Sequence, residues 1–304
     1  MNPIRNILVI VDPTATQHPA IHKGALLATK FGARLDLYAC ETKASRQVRV
    51  AARARSSIAD ALEALALPLR GSGLEVTTET ECADPLYAAL VDKTKRCSAD
   101  LVVKDTHHHS VIKRTFLTNT DWHLICACPV PLLLTKQNEW AAAPRIFAAV
   151  DPWHADDKPA VLDNCILDCA SRFAKGLSAE LHVLHAYITI EALSAAAAEV
   201  QPMETSTHAE ELASEEQIKR AQLAELTTEY GVAPARVHLE FGGAAEVIPR
   251  IAAAQHADIV AMGAVSRSGL RRVFIGSTAE DVLELLPCDA LIVKTPDFAS
   301  VLPF

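Results

Sequence analysis

The chain repeats itself. Asn6-Ile-Leu-Val-Ile-Val-Asp12-Pro13 recurs as Arg145-Ile-Phe-Ala-Ala-Val-Asp151-Pro152, an offset of 139 positions. Ala99-Asp100-Leu-Val-Val recurs as Ala257-Asp258-Ile-Val-Ala, an offset of 158. That second register holds to the end of each copy: Ile112-Lys-Arg-Thr-Phe116 matches Leu270-Arg-Arg-Val-Phe274, Thr120 matches Thr278 and Lys136 matches Lys294. A constant register with like residues in like places makes the duplication secure. Copy two is 19 residues longer. Leu35 and Leu181 still stand 146 apart, so most of the extra length follows the second strand, in Ala-rich and acidic sequence from about Glu191 to Glu216. The 304 residues therefore divide into a first repeat at 1–138 and a second at 145–304, each large enough for its own core. Gln137–Pro144 reads as the linker.

Within each copy, short apolar runs alternate with helical patterns. In copy two, Ile146–Val150 reads as a buried strand. Ala160–Lys175 reads as a helix with Val161, Cys165, Cys169 and Phe173 near one face, stopped by Gly176. Leu181–Ala186 is the second strand and Glu210–Tyr230 a charged helix ended by Gly231. Val237–Phe241, Asp258–Met262 and Ala290–Val293 are further strands, with Ala245–Gln255 and Thr278–Leu286 as helices between them. Such alternation predicts an α/β fold of two tandem, five-stranded, parallel, doubly wound units.

Composition narrows the class. No apolar run approaches the ~20 residues that span a bilayer, so no membrane insertion is expected. MNPIRNILVIVDP lacks a small-residue cleavage site and reads as a first strand. The eight cysteines form no paired framework, which fits reduced thiols and a cytoplasmic location. A formal charge of −8 argues against nonspecific binding to nucleic acid.

Glycine is scarce at 11 residues, yet Gly263, Gly269 and Gly276 cluster. Glycine serves where backbone turns tightly or approaches a ligand. Ligands of open parallel sheets sit beyond the carboxyl ends of strands. Asp151, closing the first strand of copy two, and the loop from Gly263 to Thr278 both fall there. Gly276-Ser277-Thr278 opens a helix whose free N–H groups favour a phosphate, and Arg267, Arg271 and Arg272 add positive charge. The alternative reading is structural: Gly276 eases a turn, Ser277 or Thr278 caps the helix, and Asp151 caps a neighbour.

The strands ending Val-Asp, the Ala-Asp-Ile-Val-Ala-Met-Gly run and the loop Gly263-x2-Ser266-x9-Gly276-Ser277 resemble the universal stress protein family. The resemblance covers nearly the whole chain. Thr106-His-His-His-Ser-Val-Ile-Lys-Arg-Thr and Thr120-Asp121-Trp122-His123 resemble its tandem E-type subgroup. The resemblance implies an adenine nucleotide alpha hydrolase-like unit, and a stress-response regulator binding an adenine nucleotide, ATP or AMP. Asp151 would contact the adenine or ribose; Gly263, Ser266, Arg267, Gly276, Ser277 and Thr278 would surround ribose and phosphates. Ser266 stands where the family usually has glycine. In copy one the loop positions are Asp105, His108, Thr118 and Asn119, with no glycine, so that copy reads as degenerate although Asp12 survives. The resemblance also implies that the last strands of the copies pair edge to edge.

The remaining constellations carry less. His107, His108 and His109 alternate in direction along an extended loop, which favours a solvated loop over a metal site. Cys126 and Cys128 read as buried small hydrophobes. No nucleophile stands with a base and an orienting group, so no catalytic residue and no metal ligand are assigned. Two functions stay open: an adenine-nucleotide-binding regulator, and a nucleotide-free interaction protein acting through dimerisation or another partner. A homodimer is the expected assembly; the sequence names no protein partner.

Overall fold

The computed structural model describes residues 3–12, 14–51, 57–108, 115–153, 161–188, 206–264 and 277–296. Copy one runs β1 (Asn6–Ile10), α1 (Pro19–Phe31), β2 (Arg34–Glu41), α2 (Lys43–Ala51), α3 (Ile58–Gly71), β3 (Val76–Cys82), α4 (Leu86–Arg96), β4 (Leu101–Asp105), the short pair β5 (His107–His108) and β6 (Thr115–Phe116), α5 (Asn119–Ala127) and β7 (Leu132–Thr135). Copy two runs β8 (Arg145–Ala149), α6 (Leu162–Leu177), β9 (Glu180–Tyr187), α7 (Ser206–Thr228), β10 (Val237–Phe241), α8 (Ala244–Ala254), β11 (Ile259–Gly263), α9 (Ser277–Leu285) and β12 (Asp289–Val293).

Local chemistry sets the elements. All five residues of β1 are buried, as expected of a strand covered on both faces. Pro19 starts α1 and Gly32, at φ 63°, ends it. Ser57 and Asp60 close a capping box on α3. The helix after β8 departs from expectation. It runs through Gly176 to Leu177, and Ser178 takes the left-handed turn at φ 54°. Gly176 is instead a contact residue: a Cβ there would overlap the Phe31 ring of α1, which meets Phe173 edge-on at 5.8 Å.

Ten of the twelve strands form one sheet, ordered β3-β2-β1-β4-β7-β12-β11-β8-β9-β10, and β5 and β6 pair apart from it. Each copy thus contributes its strands in the order 3-2-1-4-5, and within a copy neighbours are parallel. The copies meet through β7 and β12, which pair antiparallel with Leu132, Leu133 and Leu134 opposite Ile292, Leu291 and Ala290. One face carries α1, α3, α6 and α7, the other α4, α5, α8 and α9, and both cores continue across the junction.

Two lysines clasp this junction reciprocally. Lys136, just past β7, donates Nζ to Leu286 O beyond α9. Its counterpart Lys294 donates Nζ to Cys128 O, 2.5 Å, and Leu124 O, 3.4 Å, at the end of α5. A cation at a helix carboxyl end suits the dipole. Burial lowers both ammonium groups to about 8. A third lysine, Lys23 of α1, pairs with Asp289 of β12 at 2.8 Å; both are buried. Asp289 also accepts from Lys136 N and Trp140 Nε1, each at 2.8 Å, so one carboxylate joins copy one, the linker and copy two. The linker is pinned further by Ala141 N and Arg145 N, which donate to Asp258.

Candidate functional site

In each copy the strand order reverses between the first and fourth strands, and a crevice opens beyond their carboxyl ends. In copy two these are β8 and β11, with Ala148 opposite Ala261, so the continued register brings Gly263 opposite Val150, next to Asp151. The N–H of Asp151 donates to Asp163 Oδ1 of α6 at 3.0 Å, and the Asp151 carboxylate is half-exposed. His185 of β9 is buried behind it. Its Nδ1 donates to Val150 O at 2.9 Å, because a carbonyl can only accept, and lies 3.7 Å from Asp151 Oδ1. Trp153 meets the His185 ring edge-on at 4.6 Å and donates Nε1 to Gln222 of α7 at 2.9 Å. Lys219 Nζ sits 5.1 Å from the Trp153 ring. Trp153, His185 and Lys219 were not singled out by sequence reasoning; Trp153, two residues past the repeated Val-Asp, was the available signal.

Gly263 ends β11. A Cβ there would lie 2.6 Å from Leu162 Cδ2 and 3.2 Å from Ile166 Cδ1, so the missing side chain lets the first turn of α6 pack on the strand. Ala264 follows, buried, with its N–H on Val293 O at 3.0 Å. Ser277 and Thr278 form the first turn of α9, and Thr278 is exposed. Of the other expected site residues, Ser266, Arg267 and Gly276, like Arg271 and Arg272, lie outside the described residues. The structure therefore brings Asp151 and Gly263 to one crevice and places Ser277 and Thr278 at a helix start.

Copy one fills the same place with its own side chains. Asp105, in Gly263's position, accepts from Ala20 N at the start of α1, 2.7 Å, and from Thr135 Oγ1, 2.8 Å. Burial raises its carboxyl above the usual range. Thr118 and Asp121 close a capping box on α5: Asp121 Oδ2 accepts from Thr118 N at 2.7 Å, and Thr118 Oγ1 accepts from Asp121 N at 3.2 Å. Lys104 pairs with the buried Asp121 at 2.7 Å and donates to Asp105 O at 3.0 Å. Thr106 Oγ1 donates to Thr135 O at 2.9 Å. Even Asp12 is engaged by its own turn, through Thr14 N and Oγ1. At the corresponding positions copy two has Met262 for Lys104, Gly263 for Asp105, Ala264 for Thr106, Gly276 for Thr118, Ala279 for Asp121 and Val293 for Thr135.

His107 and His108 belong to a two-stranded ribbon with Thr115 and Phe116, and His109 lies outside the described residues. Among the described residues no group of three or more His, Cys, Asp or Glu is placed to hold a metal ion. All eight cysteines are free thiols, and Cys126 and Cys128 are buried. No helix among the described residues is long and apolar enough to cross a membrane.

Comparison with known proteins agrees with this architecture. The chain is 25% identical to universal stress protein E of Escherichia coli K12, over 97% of this chain and 96% of that protein. A solved Pseudomonas aeruginosa PAO1 protein, described as functionally unknown, superposes with a TM-score of 0.76 at 29% identity, covering 97% of this chain and 94% of that one. A universal stress protein from Archaeoglobus fulgidus shares the fold at a TM-score of 0.61 and 15% identity, covering 95% and 98%. The universal stress protein family matches residues 3–136 and again 145–294, so the chain belongs to that family, as a tandem of two such units.

Proposed function

We propose that this stress-response protein binds one adenine nucleotide, ATP or AMP, per chain, in the crevice of the second repeat, and acts by binding rather than turnover. The supporting observation is the contrast between the crevices. In copy one the start of α1 is capped by Asp105, and that of α5 by Thr118 and Asp121 with Lys104 alongside, so a phosphate would have to displace two carboxylates. Copy two has Gly263, Gly276 and Ala279 there, none of which puts a charge in the path of an anion. Asp151 and Trp153 would offer an acceptor and aromatic surface to the base and ribose, with His185 supporting both from beneath, and Gly263, Ser266, Arg267, Gly276, Ser277 and Thr278 the phosphate side. The units are 1–138 and 145–304, the location cytoplasmic and the assembly a homodimer.

Titration calorimetry of the full chain with ATP and with AMP tests the reading. The expected result is one site per chain, lost in Gly276→Asp and unchanged in Asp12→Ala. Two equivalent sites, or loss on changing Asp12, would place the ligand in the wrong copy. One observation favours the second reading, a nucleotide-free interaction protein: the space freed at Gly263 is taken by Leu162. No heat from either nucleotide, in the wild type and in Ser266→Gly alike, would decide for it.

A further inference from the structure

The sheet ends on β10, which among the described residues pairs on one side only, with β9. Alternation along the strand sends Val237 and Leu239 into the core on the α7 side and leaves His238 and Glu240 toward α8. Neither of those two is apolar, so polar contacts hold β10 on that face. Glu240 reaches Arg250 of α8 at 3.4 Å. His238 reaches His182 of β9: its Nε2 lies 3.0 Å from His182 Nδ1, with the ring centroids 5.3 Å apart. Both rings lie against Phe147 of β8, at 4.6 Å for His182 and 5.3 Å for His238. His182 is buried, and its Nε2 has no hydrogen-bond partner among the described residues.

The carboxylates around the pair are already engaged. Glu180 of β9 stands 3.6 Å from His182 Nε2, but it accepts from Arg236 at 3.0 Å and faces Arg145 of β8 at 3.5 Å. Glu240 neighbours His238 and is shared with Arg250. Burial, then the neighbouring His238, lowers His182 to about 4, and burial lowers His238 too. The bond between the rings counts protons. An N–H···N contact needs one proton and one lone pair. A neutral pair has both, and so does a pair carrying one extra proton. With two extra protons neither ring keeps a lone pair, and two cations face each other at hydrogen-bond distance. Copy one ties its edge differently. By strand register Asp36 and Glu79 stand where copy two has His182 and His238. Asp36 accepts from Thr77 Oγ1, and Glu79 accepts from Lys93 Nζ of α4 at 2.7 Å, so no histidine titrates there.

We propose that His182 and His238 form an acid-opened latch: when both rings are protonated, β10 and the part of α7 that leads into it leave the sheet edge, while the other nine strands stay paired. Such sub-global opening draws on the least supported element, here a strand bonded along one side. α7 carries Gln222, which accepts from Trp153 Nε1 at 2.9 Å, and Lys219, whose Nζ lies 5.1 Å from that ring. Opening withdraws both from Trp153, two residues past Asp151, and so couples acid to the shape of copy two's crevice. Copy one keeps its edge over the same range. The inference rests on the sheet edge and holds whether or not the crevice takes a nucleotide.

Amide hydrogen exchange of the full chain, read by mass spectrometry, tests it. Protection of residues 237–241 is compared with that of 145–149 in β8 and 76–82 in β3. Corrected for the intrinsic effect of pH on exchange, protection of 237–241 is expected to fall at least ~30-fold between pH ~6.5 and ~4, because two protons are taken up on opening. The two reference strands should change by less than ~3-fold. In His238→Gln the amide can donate to a neutral His182 or accept from a charged one, and one titrating ring is gone. That variant should cut the fall at 237–241 by at least ~5-fold. Loss of protection at 145–149 in step with 237–241 would mean that the histidines serve the whole fold and would overturn the latch. No fall at 237–241, or an equal fall in His238→Gln, overturns it as well. The comparison of strands within the wild type decides the matter even if the variant does not fold.

Discussion

The two crevices share a backbone plan and differ in who satisfies the helix starts. In copy one, Lys104, Asp105, Thr106, Thr118, Asp121 and Thr135 bond one another and the amino ends of α1 and α5. In copy two the same six positions are Met262, Gly263, Ala264, Gly276, Ala279 and Val293. Free N–H groups at a helix start need a partner. A chain can supply it as a carboxylate of its own or leave the place for an anion from outside. A carboxylate makes the unit complete alone and closes it to ligand. On the function proposed above, the tandem holds one unit of each kind; the junction between them is itself asymmetric, for Asp289 joins the copies, while its counterpart in copy one is Pro131.

Removing Asp289 should break the comparison most severely. Asp289→Ala leaves Lys23 buried without its carboxylate and frees Lys136 N and Trp140; a loss of ~3–5 kcal/mol is expected by urea denaturation. Adding Lys23→Met to it should recover much of that loss, since the stranded charge is then gone. Next comes the self-filled crevice. Asp121→Ala writes copy two's residue into copy one, removes half of the capping box and strands Lys104, and should cost ~2–3 kcal/mol in the same assay.

Acid should act on copy two first. His182 stacks on Phe147 at 4.6 Å with His238 3.0 Å from its Nδ1, and burial with the neighbouring His238 lowers it to about 4; burial lowers His238 as well. The unfolded chain therefore takes up protons that the fold refuses. Stability present above pH ~6.5 is lost as pH falls toward ~4, at no more than about 1.4 kcal/mol per unit for each group. Denaturation midpoints measured between these values should slope less in His182→Gln than in the wild type. The smallest effect belongs to Gly263→Ala, about 1 kcal/mol, at the low end for overpacking because Leu162 can turn away. If it costs nothing and Leu162→Ala does not change the outcome, the close packing of α6 on β11 is not what Gly263 provides.

How legible was this in the chain? The repeat and the parallel order follow from register and apolar runs, the pairing of the last strands came only with the family resemblance, and β10 lies where Val237–Phe241 suggested. Thr118-x-x-Asp121 before an apolar run is a capping signal that was there to be read. Gly176 misled, because a local stop signal was overridden by Phe31 arriving from the other copy. Lys23 with Asp289, and Lys136 with Leu286, join residues far apart in sequence, and no periodicity encodes such pairs. At the candidate site, Asp151 and Gly263 were legible as a loop pattern, but the packing reason for Gly263 depends on Leu162 and appears only in three dimensions.

The antiparallel seam of β7 and β12 also has a consequence for synthesis of the chain. When copy one leaves the ribosome, Leu132, Leu133 and Leu134 form an unpaired strand edge. Its proper cover, β12, emerges only after roughly 150 more residues, about 8–30 s at ~5–20 residues per second. During that interval the same edge on any neighbouring nascent chain is a competing partner. Pro131 and Lys136, which flank the three leucines, are the residue types that discourage such pairing, so they guard the edge on the ribosome before Lys136 takes up its place against Leu286.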